Sequence, residues 1–157
     1  MQFRKAEIGE AAFIAAMWHR GWHEGHAAHV AADLVAMRTA EEFKMRTAAR
    51  IGQTTVLEVE GQIAGFHMLD GDELYQFYVS KGFRGTGVAS TLMHHAEGAL
   101  AGRLAWLACA VGNDRAARFY EKSGWIQAAI EDYSVETANG PKAVPCRRYE
   151  KNLLPAV

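Results

Sequence analysis

A glycine-rich segment, Arg84-Gly-Thr-Gly-Val-Ala89, contains the residue types that point most directly to ligand chemistry. Small residues let the main chain approach a ligand closely, and several of their N–H groups can point in the same direction. The segment lies between an aromatic stretch typical of a strand and a stretch with helical periodicity. A helix that begins there adds the positive end of its dipole, so we expect a phosphate or pyrophosphate, and Arg84 adds further positive charge.

This segment also has a purely structural interpretation, because glycines commonly make a tight turn between a strand and a helix. Two other phosphate-binding patterns fit it less well. A nucleotide-hydrolase loop ends in Gly-Lys-Ser/Thr, which is absent here, and a dinucleotide-binding fingerprint has G-x-G-x-x-G in an early parallel βαβ unit. The turn is instead predicted to follow a series of antiparallel strands, so neither kind of nucleotide site is expected.

Hydrophobic periodicity and turn residues predict the elements that position this turn. Thr39-Ala-Glu-Glu42 matches a capping box, which marks the start of a helix. Leu104–Val111 is nearly all apolar, as expected for a strand covered on both faces. In chain order we expect a strand at 3–6, helices from about 10 and at 39–50, strands at 54–60, 62–69 and 73–79, a helix at 88–100, a strand at 104–111, a helix at 113–122 and strands at 125–137 and 144–154.

The glycine-rich segment and the residues before it resemble the coenzyme A pyrophosphate loop of the GNAT superfamily of N-acetyltransferases. The pattern of that loop is Gln/Arg-x-x-Gly-x-Gly/Ala, and Arg84, Gly87 and Ala89 occupy its fixed positions within Val79–Ala89. A second segment, Asn113–Trp125, is similar to the superfamily's Asn-x-x-Ala-x-x-Phe-Tyr-x-x-x-Gly-Phe segment, with Trp in place of the last Phe. The predicted order of elements agrees with that fold from end to end.

The resemblance implies a single acetyltransferase domain over residues 1–157, of α/β (α+β) class. Its three-layer GNAT-like fold would have a mixed, mostly antiparallel seven-stranded sheet and about four helices. In that superfamily the strand before the loop and the later apolar strand splay apart, and the pantetheine arm of coenzyme A lies in the gap. By carry-over, the groups that bind coenzyme A belong to Phe77, Tyr78, Val79, Arg84, Gly85, Thr86, Gly87, Val88, Ala89, Ser90 and Asn113.

Two residues are implied as catalytic by the same resemblance. Tyr120 matches a tyrosine that often protonates the departing thiolate, a role that suits a phenol near the sulfur. Glu73 begins the pantetheine-binding strand, where many relatives keep a carboxylate, and would accept the proton that the amine must lose, unless a water path does so. Other interpretations stay open: Tyr120 as a packing residue, Glu73 as a solvated carboxylate after an acidic turn, and Asn113 as a helix N-cap.

The implied function is transfer of an acetyl group from acetyl-CoA to a primary amine, which attacks the thioester directly in a ternary complex without a metal. A free main-chain N–H at a strand edge would stabilise the oxyanion that develops. Two alternatives remain: a non-catalytic regulatory or interaction module that binds coenzyme A, and an acyltransferase with a different acyl group or a hydroxyl acceptor. The acceptor is expected to be a small-molecule or peptide amine, and family habit suggests a homodimer.

Three histidines, His19, His23 and His26, are spaced by four and three residues and would share one helix face, as metal ligands can. No carboxylate is obviously placed to complete such a site, and a break in the helix is conceivable at Gly21 or Gly25. The resemblance instead implies a place for these side chains on the wall of the acceptor pocket, because the segment joining the first two helices usually borders the substrate in relatives, and no metal is expected.

The bulk composition argues against several other classes of partner. The 17 Lys and Arg residues nearly cancel the 18 Asp and Glu residues, so the chain lacks the positive field that non-specific nucleic-acid binding needs. No stretch approaches the roughly 20 apolar residues that span a bilayer, and the start lacks a signal-peptide core, so we expect a cytoplasmic protein without membrane contact. Cys109 and Cys146 lack metal or redox spacing, and no disulfide is expected.

Overall fold

The computed structural model describes residues 1–156. Within these residues seven strands form one sheet, as predicted. Their boundaries differ from the predicted ones by no more than two residues. The strands are β1 (Gln2–Lys5), β2 (Thr54–Val59), β3 (Gln62–Asp70), β4 (Glu73–Val79), β5 (Leu104–Ala110), β6 (Ile126–Val135) and β7 (Lys142–Asn152).

The sheet is mixed and mostly antiparallel, with the strand order β1-β2-β3-β4-β5-β7-β6. Only the β4–β5 neighbours are parallel, and within the described residues a single register pair, Glu73 with Trp106, joins them. A bulge bends β4 next to this pair, because Met68 of β3 lies opposite Gln76 whereas the following β3 residue lies opposite Leu74. The two central strands therefore separate beyond Glu73.

The described residues also contain α1 (Ala11–His26), α2 (Ala32–Met37), α3 (Ala40–Ala49), α4 (Val88–Ala99) and α5 (Asp114–Lys122). The four longer helices agree with the predicted ones, whereas six residues of α2 are too few to show a periodicity. The sequence suggested a break in the first helix at Gly21 or Gly25; this interpretation is wrong, because α1 continues through both residues. These glycines instead let the side chains of Tyr78 and Asn113 pack closely against α1. No helix in the described part of the chain is long and apolar enough to cross a membrane.

Helices pack on both faces of the sheet, which gives the predicted three layers. Successive residues of β2 point to opposite faces: Val56 belongs to the core cluster of Trp18 in α1 and Phe43 in α3, and Leu57 to the cluster of Leu92 in α4. All five side chains are completely buried. Because each large apolar side chain stabilises the fold by about 1.5–3 kcal/mol when buried, these two layers hold the separated central strands in place.

Candidate active site

A cleft of about 460 Å³ opens where β4 and β5 separate. One wall is the β4 segment from Glu73 to Val79, and the other includes β5 residues from Leu107 to Ala110. Helix α1 contributes Gly21 and Gly25 to the lining. The cleft thus has two strand edges whose main-chain groups are not used by a continuous β4–β5 ladder.

Most of the predicted site residues line this cleft. Five others do not line it. Gly85, Thr86, Gly87 and Ser90 are close in the sequence to the lining residues Arg84 and Ala89. The side chain of Val88 is buried in the core, so only its main chain is available to a ligand. The predicted residues that line the cleft are Glu73, Phe77, Tyr78, Val79, Arg84, Ala89, Asn113 and Tyr120.

The turn before α4 has the main-chain geometry of an anion site. Gly85 and Gly87 have φ angles of 77° and 87°, a region that glycine adopts without steric cost. Among the described residues, none of the main-chain N–H groups from Gly85 to Ser90 donates to a protein acceptor. Because α4 begins at Val88, these free donors stand at the positive end of its dipole, where a phosphate is favoured.

The guanidinium of Arg84 is paired with a carboxylate of α1. Arg84 Nη1 lies 2.9 Å from Glu24 Oε2, and both side chains remain about one-third exposed. This contact lowers the pKa of Glu24 through a hydrogen bond and charge attraction. A negatively charged ligand at the turn would therefore share Arg84 with Glu24 or displace Glu24 from it.

Asn113 precedes α5, as predicted, but its side chain does not cap the helix. Its main chain has φ −80° and ψ 68°, away from the extended conformation usual at an N-cap. The side chain instead lies against α1, where a Cβ at Gly25 would come within 2.9 Å of Asn113 Nδ2. The N-cap interpretation of this side chain is therefore wrong, and the Asn113 amide lies on the cleft wall.

Two tyrosines, Tyr78 and Tyr120, line the cleft. Tyr120 is half-buried, and its ring is tilted against that of Phe119, whose ring in turn stacks on Phe77 of β4. Burial raises the pKa of Tyr120 and of Tyr78 well above the ordinary tyrosine value. Both phenols are protonated near neutral pH, and burial makes each a weaker acid than an exposed tyrosine.

Glu73 is buried, so its interpretation as a solvated carboxylate is wrong. Only 7% of the residue is exposed, and Tyr133 of β6 donates a hydrogen bond of 2.6 Å to Glu73 Oε2. Burial raises the pKa of Glu73 above its usual range, and the Tyr133 hydroxyl partly offsets that effect. A carboxyl group with a raised pKa in a cleft is suited to accept a proton.

The free thiols on the cleft wall are poor nucleophiles. Cys109 and Cys146 are both buried and unbonded. Burial raises the pKa of Cys109 to about 11 and that of Cys146 to about 12, so both are thiols near neutral pH. Neither thiol is therefore suited to form an acyl-cysteine.

The three histidines of α1 do not converge on a common point. The rings of His19 and His23 meet edge to face, with centroids 4.5 Å apart. His26 turns away, stacks on Trp22 and contacts the Trp22 carbonyl oxygen at 3.2 Å. Only His26 of the three lines the cleft, and burial lowers its pKa to about 4. Within residues 1–156, no group of three or more His, Cys, Asp or Glu side chains is arranged to hold a metal ion.

Sequence reasoning missed a set of charged residues at the cleft. Arg38, Glu42, Arg46 and Arg50 follow one another at intervals of four residues, and all three arginines line the cleft. The spacing was a readable signal, because residues four apart share a helix face. The same spacing is typical of solvated ion-pair rows, so the sequence alone did not separate the two cases.

The chain is similar in sequence to known proteins. The model of the Acetyltransferase (GNAT) family matches residues 15–125. An uncharacterized N-acetyltransferase of Mycobacterium bovis is 42% identical over 74 residues, a match that covers 42% of this chain and 47% of that protein. The chain thus spans about half the length of the curated relatives it matches.

Solved structures share the fold over nearly the whole chain. A GCN5-related N-acetyltransferase from Rhodopseudomonas palustris has a TM-score of 0.74 and 21% identity, covering 96% of this chain and 95% of that one. The PaiA N-acetyltransferase from Thermoplasma acidophilum, in complex with coenzyme A, has a TM-score of 0.67 and 18% identity, with coverages of 94% and 98%. Since the family model matches well over half of the residues, the chain belongs to the acetyltransferase (GNAT) family.

Proposed function

We propose that the protein binds acetyl-CoA at the turn before α4 and in the cleft, and transfers the acetyl group to a primary amine. The amine of a small-molecule or peptide acceptor attacks the thioester carbonyl directly. A C–N bond forms, the C–S bond breaks, the amine loses a proton and the coenzyme A thiolate gains one. Direct attack in a ternary complex fits the high thiol pKa of Cys109.

The observation that carries this proposal is the continuity between the free amides and the opened strands. The main-chain N–H groups of Gly85–Ser90 have no protein acceptor among the described residues, and the neighbouring cleft runs between β4 and β5. A diphosphate at the helix end would be held by several N–H groups and Arg84. The attached arm would then lie along the unpaired edge of β4, whose main-chain groups can form hydrogen bonds with its amides.

In this proposal Tyr120 protonates the leaving thiolate. Its half-buried ring lines the cleft, and its raised pKa keeps the phenol protonated until charge develops nearby. A thiolate in this poorly solvated place is a strong base, so proton transfer from Tyr120 would stabilise the departing group.

In this proposal Glu73 removes the proton of the attacking amine. Its carboxyl lies at the point where β4 and β5 begin to separate, and it lines the same cleft as Tyr120. The hydroxyl of Tyr133 fixes one oxygen of Glu73 and leaves the other without a protein hydrogen-bond partner among the described residues. This arrangement gives the amine a base that is oriented by a neighbouring strand.

The activity is tested by following free thiol during incubation with acetyl-CoA and a broad panel of amines. We expect thiol release that depends on both components. Tight binding of acetyl-CoA without amine-dependent release on the whole panel would instead identify a non-catalytic binding module. Comparison of acyl-CoA chain lengths in the same assay would reveal a preference for a longer acyl group.

The role of Tyr120 is tested with Tyr120→Phe. We expect turnover to fall by roughly 10²-fold, the low end of the range for a lost general acid, with little change in the affinity for acetyl-CoA. Tyr149→Phe is a matched control, since Tyr149 lies near Tyr120 but bonds to Glu121 and does not line the cleft. Full turnover in Tyr120→Phe would remove this residue from the mechanism.

A further inference from the structure

A cluster of charged side chains from α3 and the residue before its N-cap lies at the cleft wall. We define the α3 arginine cluster as Arg38, Glu42 and Arg46. Arg38 is 2% exposed, and the side chains of Glu42 and Arg46 are each 12% exposed. Both arginines line the cleft together with Tyr75 of β4. A charged group so little exposed is costly to keep unless a counter-charge is at hand.

The α3 arginine cluster has one positive charge more than its carboxylate can balance. Glu42 Oε1 accepts from Arg38 Nη1 and also lies 3.6 Å from Arg46 Nη1. The nearby Arg50 does not supply a counter-charge, and its own partners, Asp70 and Glu136, are bound to its guanidinium at 3.3 and 2.9 Å. Two guanidinium groups therefore share one carboxylate.

The other charged or titratable groups at this part of the cleft do not remove the excess. Asp70 and Glu136 also line the cleft, but both side chains are more than half exposed and bind Arg50, and Glu73 is hydrogen-bonded to Tyr133. His26 is neutral near neutral pH, because burial lowers its pKa. The pKa of Arg38 is itself lowered by burial and by the charge of Arg46, which is the effect expected of two buried cations in proximity.

Several nitrogen atoms of the two arginines lack hydrogen-bond partners. Within residues 1–156, its Nε and Nη1 atoms and the Nε atom of Arg38 are buried and form no hydrogen bond. The bond that Arg46 does make is from Nη2 to the Tyr75 hydroxyl, at 2.9 Å. The guanidinium also lies 4.4 Å from the ring of Trp18, a favourable contact that brings no negative charge. Glu42 Oε2 is likewise buried without a partner, so an anion in the cleft would bind these nitrogen atoms after a shift of the Arg46 side chain.

We infer that the acceptor is an amino-acid-like molecule, whose carboxylate binds at Arg46 and Arg38 while its amine faces the thioester. This inference rests on the proposed function. A carboxylate suits the site because a guanidinium binds it through two parallel hydrogen bonds, and the Tyr75 hydroxyl, which accepts from Arg46, still has its own proton to donate. The cleft of about 460 Å³ must also hold the end of the pantetheine arm, so the acceptor is small.

The inference is tested by binding, so that its outcome does not depend on turnover. N-acetyl derivatives of the standard L-amino acids, each paired with its carboxamide, are titrated into the protein saturated with coenzyme A and into the protein alone. We expect at least one acid to bind about tenfold or more tightly than its carboxamide, since charge-assisted hydrogen bonds are about twice as strong as neutral ones. Equal binding of acid and carboxamide across the panel would overturn the inference.

A pair of variants assigns the preference to the cluster. Arg46→Met should reduce the ratio of acid to carboxamide affinity towards one, whereas Lys44→Met, which removes a positive charge from an exposed position of α3 outside the cleft, should leave it unchanged. An unchanged ratio in Arg46→Met would refute the assignment. If Arg46→Met fails to fold, as judged by circular dichroism, the wild-type ratio decides alone.

A separate titration with acetyl-CoA distinguishes failure of the inference from failure of the proposed function. Binding of acetyl-CoA and transfer to amines without preference for a carboxylate would overturn only the inference. Absence of acetyl-CoA binding would overturn the proposed function, and the acid and carboxamide titrations into the protein alone would still report on the α3 arginine cluster.

Discussion

The close contact between α1 and β4 makes Gly21 a sensitive position for coenzyme A binding. A Cβ at Gly21 would lie 2.4 Å from Tyr78 Cδ1 and 2.7 Å from Tyr78 Cε1, distances that real Cβ atoms do not show. The Tyr78 ring also stacks on Phe66, which is completely buried. In Gly21→Ala the ring must therefore turn or shift within the cleft that it lines.

The size of the effect follows from two opposing contributions. Replacing glycine by alanine inside a helix stabilises a protein by about 1 kcal/mol where there is room for the methyl group. Overpacking a filled site costs about 1–3 kcal/mol. Gly21→Ala should therefore range from nearly neutral to about 2 kcal/mol less stable than the wild type, and each kcal/mol corresponds to roughly 2–4 °C in Tm for a chain of this size.

The matched control is Gly98→Ala, since Gly98 is exposed near the end of α4 and has no atom within 4 Å of a built Cβ. Chemical denaturation should show Gly98→Ala to be the more stable variant by about 1–3 kcal/mol, which is the overpacking cost itself. Calorimetry should show weaker coenzyme A binding for Gly21→Ala and unchanged binding for Gly98→Ala. Equal stability and equal affinity in the two variants would refute the argument that Tyr78 is packed against α1.

Three further predictions concern charged and titratable groups at the cleft. Glu24→Gln should raise the affinity for coenzyme A by roughly 1.5- to 5-fold at low salt, because Glu24 competes for Arg84 and an exposed pair of this kind contributes about 0.2–1 kcal/mol. Unchanged affinity in calorimetry would contradict this prediction. Glu73 has a raised pKa, so its contribution to stability is complete below its unfolded-state pKa and is lost as the pH rises through the folded value. In denaturation experiments Glu73→Gln should therefore gain stability over the wild type as the pH rises from acid to neutral. The pH profile of its turnover should also lose the acid limb. Cys109 has a pKa of about 11, so iodoacetamide should alkylate it near neutral pH only after the protein unfolds, as followed by mass spectrometry. Rapid labelling of the folded protein would show an accessible thiolate.

The sequence was sufficient for the features that depend on neighbouring residues. The glycines at positions 85 and 87 allow the positive φ angles of this turn at no steric cost. Thr39 accepts a hydrogen bond from the Glu42 N–H, as the capping-box pattern predicts. Periodicity likewise fixed the strands and the four longer helices, because it reports which face of an element is buried.

Features that join distant parts of the chain were decided by the tertiary structure. Glu73 was readable either as a base or as a solvated carboxylate, and its burial follows from the contact with Tyr133, sixty residues later. The Asn113 side chain was expected to cap its own helix, yet it packs on α1. Local patterns carry no information on which elements meet, so they do not determine the environment that sets a pKa or turns a side chain.

The row of charges from Arg38 to Arg50 depends on both local sequence and tertiary packing. Its four-residue spacing can be read in the sequence, and within α3 it places Glu42 and Arg46 on one helix face. Whether that side is solvated or buried depends on where α1 and β4 lie, and these elements are brought together only by packing around Trp18 and Phe43. The sequence by itself thus determined the glycine-rich turn before α4 and the order of the elements, whereas only the tertiary structure turned a row of arginines towards the cleft and left Arg38 and Arg46 to share one carboxylate.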